Sequence, residues 1–114
     1  MTRTLQTLML ATLLALTGAA PAHAHQLNVF ASVAGETITV EGKFSSGRPA
    51  MAGAVKVYDS ANALLHETQL SADGTATLPV PANVTGIKIE VIAADGHSNY
   101  WIMTAEDLAA GAAK

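Results

Sequence analysis

Two histidines far apart in the chain offer the clearest chemistry. The stretch Pro21-Ala22-His23-Ala24-His25 contains Ala22-His23-Ala24, the small-x-small form that signal peptidase accepts, so cleavage after Ala24 makes His25 the first residue. An N-terminal histidine presents its α-amine and its ring Nδ1 together, and the two close a chelate on a divalent transition metal such as nickel or copper. The second histidine, His97, follows the turn pair Asp95-Gly96. If folding brings its ring to the new amino terminus, three nitrogen donors meet. A water, a carboxylate such as Asp95 or a partner protein then completes the coordination. An all-nitrogen set suits Ni²⁺, Cu²⁺ or Co²⁺ better than Ca²⁺ or Mg²⁺, which take oxygen ligands. Binding needs a neutral ring and a deprotonated amine, so affinity weakens as pH falls. The plainer alternative makes His25 a loose terminal residue and His97 an ordinary turn residue.

The remaining candidates carry less. His66 beside Glu67 reads as a residue on a solvated strand face. Tyr100 and Trp101 alternate across a strand, so one faces the core and the other solvent; core is the ordinary place for tryptophan, a sugar-stacking platform the sharper reading. Met51 and Met103 offer thioethers to a soft metal such as Cu(I), although isolated methionines more often fill gaps in packing. Asp59, Asp73, Asp95 and Asp107 fall on separate loops, which leaves no carboxylate pair for acid–base work. The serines lack a nucleophile elbow, and the absence of cysteine removes thiolate catalysis and thiolate metal sites. No enzyme is expected.

Composition bounds what positions these residues. Arg3 in a polar start, the apolar run Leu8–Leu16 and the break Thr17-Gly18 form a leader, so residues 1–24 are expected to be a cleaved signal peptide and the protein to be periplasmic. The run is too short to cross a bilayer, which takes about 20 residues. No second apolar segment follows, so no membrane span is expected after cleavage. The remainder holds five Lys and Arg against nine Asp and Glu, a net charge of −4. With no basic patch, nucleic acid is an improbable partner. One small domain fits this length, and without cysteines it must rely on its core alone.

Periodicity predicts seven short strands. Leu27–Val33 and Thr37–Phe44 alternate with period two around Ala34-Gly35-Glu36 and read as a β-hairpin. Turn-rich Ser45–Pro49 leads to strands over Ala54–Tyr58 and Leu64–Leu70. Asp73-Gly74 turns into Thr75–Val80, whose Pro79 suits an edge or a strand end. Ile87–Ala93 and His97–Met103 flank Asp95-Gly96. Thr104, with Asp107 three residues on, caps one short helical turn, followed by a frayed alanine- and glycine-rich tail. The expectation is all-β: a single antiparallel β-sandwich of about seven strands, immunoglobulin-like or transthyretin-like, over 25–104, with a C-terminal tail over 105–114.

Two resemblances add to this reading. Gly53-Ala54-Val55-Lys56-Val57-Tyr58-Asp59, followed by Leu70-Ser71-Ala72-Asp73-Gly74-Thr75, resembles the "G-A-x-V-x-V-Y-D … T-D-x-D-G" pattern of carboxypeptidase-regulatory-like domains, which are small transthyretin-like sandwiches. The opening His25-Gln26-Leu27-Asn28-Val29-Phe30-Ala31 is similar to the histidine-led start of small exported proteins in bacterial nickel and cobalt uptake systems. Phe44–Pro49 and Asp95-Gly96-His97-Ser98-Asn99-Tyr100-Trp101 extend the similarity in the same order. Such proteins accompany energy-coupling-factor transporters. The resemblance implies an accessory protein that captures or presents Ni²⁺ or Co²⁺ through His25 and His97, with the membrane subunit of a metal transporter as partner. Some relatives carry a C-terminal membrane helix, and this chain has no such segment. A copper carrier is the nearest alternative, since amine and imidazole bind Cu²⁺ more tightly than Ni²⁺. A structural or adhesive sandwich module is the alternative outside metal binding.

Overall fold

A computed structural model describes residues 26–112. The expected leader and His25 lie outside the described residues. Seven strands and one helix follow in order: β1 (Leu27–Ala34), β2 (Thr37–Phe44), β3 (Gly53–Asp59), β4 (Leu64–Gln69), β5 (Thr75–Pro79), β6 (Gly86–Ala93), β7 (Ser98–Thr104) and α1 (Ala105–Ala112). They form a three-stranded sheet β1-β2-β5 and a four-stranded sheet β4-β3-β6-β7. The pairings are all antiparallel, so the expected all-β sandwich is the observed fold.

Alternation decides which side of each strand meets the other sheet. Leu27, Val29, Ala31 and Val33 line the inner face of β1, and Ile38 and Val40 that of β2. Val55 and Val57 of β3 and Ile87, Ile89 and Val91 of β6 answer them from the opposite sheet. β-branched side chains dominate these central positions, where a stiff χ1 suits a pleated, buried surface. Pro79 closes β5, an edge strand, where its missing N–H removes no ladder bond.

The turns use one device repeatedly. Gly47, Gly74 and Gly96 each have positive φ, and each donates its N–H to the carbonyl three residues back. The next residue then exchanges a backbone bond with that same residue, as in a type I turn closed by a left-handed residue. Asn62, with φ of 63°, does the same after Asp59.

The C-terminal segment corrects the sequence expectation of one helical turn and a frayed tail. α1 runs for eight residues and packs on the sandwich, burying Leu108 and Gly111. Thr104 Oγ1 accepts the Asp107 N–H at 3.2 Å, and Asp107 Oδ2 accepts the Thr104 N–H at 2.9 Å, so the expected cap forms reciprocally. Past that cap, Gly111 brings the helix backbone against Val33, and its carbonyl accepts the Gly35 N–H at 3.0 Å. A larger residue at 111 would keep the helix off β1. Small size, the feature that reads as fraying in sequence, is what permits docking.

Candidate metal centre

His97 sits at the tip of the β6–β7 hairpin. Gly96, with φ of 95°, lets the chain reverse, and Ala93 and His97 close the turn through a backbone bond of 2.8 Å. Asp95 Oδ1 accepts the His97 N–H at 3.0 Å and fixes the loop locally. The other carboxylate oxygen, Oδ2, lies 3.0 Å from His97 Nδ1. That contact is off the line of a ring N–H bond, since Nδ1 has neither a hydrogen-bond partner nor solvent access; it is an electrostatic contact that strengthens when the ring is charged. The imidazole packs edge-on to the Phe44 ring, centroids 5.8 Å apart. The residue as a whole stays half-exposed, so Nε2 is the ring nitrogen left for a ligand. The His97 N–H, then the imidazole beside it, hold the Asp95 carboxyl below its ordinary value of 3.8.

The start of the described chain is tied to this end of the sandwich. The Gln26 carbonyl accepts the Ser45 N–H at 2.8 Å, next to Phe44. Asn99 Nδ2, two residues beyond His97, donates to the Leu27 carbonyl at 2.8 Å and clamps the start of β7 to the start of β1. Gln26, Phe44 and His97 therefore share one pole. A cleft of about 250 Å³ opens beside them, lined in part by Phe44, Arg48, Met51 and Asp95.

Among the described residues, no group of three or more His, Asp or Glu side chains converges to hold a metal ion. His97 and Asp95 are the two that meet, and a centre here needs donors from His25. His66 is exposed on β4, opposite Val57 and at the far edge of the four-stranded sheet from β7. Its register partner Val57 faces the core, so His66 stands on the inward side of that sheet and is nevertheless open to water. Met103 is buried and pairs with Ile87, while Met51 is 63% exposed at the His97 pole, so the two thioethers do not combine. Trp101 is half-buried under the Phe30 ring at 5.2 Å, and Tyr100 faces solvent.

Sequence reasoning missed Phe44 as the wall against His97 and Asn99 as the clamp to β1. Both belong to the stretches that carried the resemblance, but nothing in their residue types announces a contact across the sandwich. Comparisons of the chain with family models, curated proteins and solved structures find no match.

Proposed function

We propose that this chain is an exported metal-binding accessory protein that captures or presents Ni²⁺ or Co²⁺ for an uptake transporter. The ligands are the His25 amine and ring and the His97 imidazole, with the Asp95 carboxylate beside that imidazole on its Nδ1 side. The observation that supports this most is the tie of Gln26 to the His97 pole. His25 is one peptide bond from Gln26, about 3.8 Å between Cα atoms. Asp95 places a carboxylate oxygen 3.0 Å from Nδ1, the ring nitrogen that would face away from the metal. The metal is cargo, and no catalytic role is proposed.

The test is calorimetric titration of the processed protein with Ni²⁺ and Co²⁺. One ion per chain is expected; His97→Ala should abolish tight binding, and His66→Ala should leave it unchanged. Asp95→Asn should weaken it, because the variant removes the negative charge beside the His97 ring. Unchanged affinity in His97→Ala would end the proposal. Exposed Met51 beside the same cleft favours copper as the second reading, because a thioether suits Cu(I) and does little for Ni²⁺. Tighter Cu(I) than Ni²⁺ binding, lost in Met51→Leu, would decide for it.

A further inference from the structure

Among the described residues no element packs on the outer face of the four-stranded sheet, and its side chains form a pattern. Register places Leu64, Tyr58, Lys88 and Ile102 in one row across β4, β3, β6 and β7. The next row is Glu67, Lys56, Glu90 and Tyr100. Leu64, Tyr100 and Ile102 are each more than half exposed, at 51%, 57% and 53%. Lys88 lies over the Tyr58 ring at 5.0 Å, and the Tyr58 hydroxyl points to Glu90 at 3.4 Å. Among the described residues the ion pairs are Lys43–Glu41 and His97–Asp95, so Lys56, Lys88, Glu67 and Glu90 form none with any other described residue.

We infer that this face is a self-association surface whose occupant is a second copy of the same chain, packed face to face about a two-fold axis. An isologous interface requires a self-complementary patch. An axis parallel to the strands, between β3 and β6, sets β3 of one copy against β6 of the other and β4 against β7, row on row. Lys56 then faces the second copy's Glu90, Lys88 faces its Tyr58, and Leu64 faces its Ile102, each contact made twice. Glu67 meets the second copy's Tyr100, whose hydroxyl donates to the carboxylate. The alternative in-plane axis, perpendicular to the strands through the charged row, would set Lys56 on Lys56 and Glu90 on Glu90. Charge therefore selects one orientation. Packed sheets cross at about 30°, which displaces the outer strands and leaves the central pairs in register.

Size sets the strength. Four strands at about 4.8 Å spacing and some seven residues at about 3.4 Å give a flat footprint of roughly 450 Å² per copy. Twice that is below the roughly 1,200–2,000 Å² buried in stable complexes, so the dimer is weak and concentration-dependent.

The test is sedimentation of the protein over a dilution series reaching about 1 mM, where an interface this small associates. The wild type should pass from monomer to dimer. Lys56→Glu and Glu90→Lys should each lose association by about tenfold or more, because each sets like charges opposite twice. Mixed in equal amounts, the two variants should recover it as a heterodimer, and the double variant should recover it alone. Dilution should shift amide resonances of Ala54–Tyr58 and Lys88–Ile92 in the wild type, a readout that does not depend on any variant folding. A wild type monomeric throughout, a mixture that stays monomeric while the wild type dimerises, or dilution shifts confined to β1, β2 and β5 would overturn the inference.

Discussion

Gly111→Ala separates helix propensity from docking. In an exposed helix interior this change stabilises by about 1 kcal/mol, because alanine loses less backbone entropy than glycine. Here the new methyl would meet Val33, with Cγ1 at 2.6 Å and the carbonyl oxygen at 2.8 Å, and Val33 Cβ closer still. Real Cβ atoms do not approach that near, and two of the three neighbours belong to the strand's own frame, so no rotamer change relieves the clash. The helix must lift, at an overpacking cost of about 1–3 kcal/mol. Set against the propensity gain, the net is a loss of up to about 2 kcal/mol. A net loss of about 1 kcal/mol corresponds to roughly 4–8 °C in melting temperature for a domain this size. Urea unfolding of wild type and variant measures it. Hydrogen exchange at the Gly35 amide, which donates to the Gly111 carbonyl, should accelerate in parallel. A variant more stable than the wild type, with unchanged exchange at Gly35, would refute the docked helix.

Two further outcomes are expected. Thr104→Ala removes the acceptor for the Asp107 N–H and should destabilise by about 1 kcal/mol in thermal unfolding, with exchange accelerated in the first turn of α1. Asp73 and Asp95 should both titrate below 3.8 by NMR. The Ser71 hydroxyl, then the Thr75 hydroxyl and N–H, lower Asp73, and the His97 N–H and imidazole lower Asp95. Because their folded values are depressed, the stability they contribute is fully present above 3.8 and is lost as pH falls through the folded values below it. Replacing either with Asn should flatten the acid limb of the stability profile.

Much of the fold was legible because alternation is a local signal. Thr37–Phe44 wrote its inner face into Ile38 and Val40, and Asp-Gly pairs fixed two turns whose left-handed residue only glycine adopts freely. Pro79 announced an edge. α1 was not legible as a docked element, because one leucine and several alanines make no apolar stripe, and its packing depends on Gly111 having no side chain. His66 beside Glu67 reads as a residue on a solvated face, and it is exposed, but on the inward side of β4 opposite Val57, a position that depends on strand register and not on residue type. The candidate site was half legible. Asp95-Gly96-His97 is a local turn, whereas the meeting of Gln26, Phe44 and His97 at one pole depends on strand order, which periodicity leaves open.

The central claim is that an N-terminal histidine and His97 bind one ion together. Calorimetric titration with Ni²⁺ of two preparations tests it, one beginning at His25 and one with a single residue added ahead of it, both ends verified by mass spectrometry. The added residue turns the amine into an amide and opens the chelate. The account predicts one ion per chain in the first preparation and at least about tenfold weaker binding in the second. Equal affinities would contradict it.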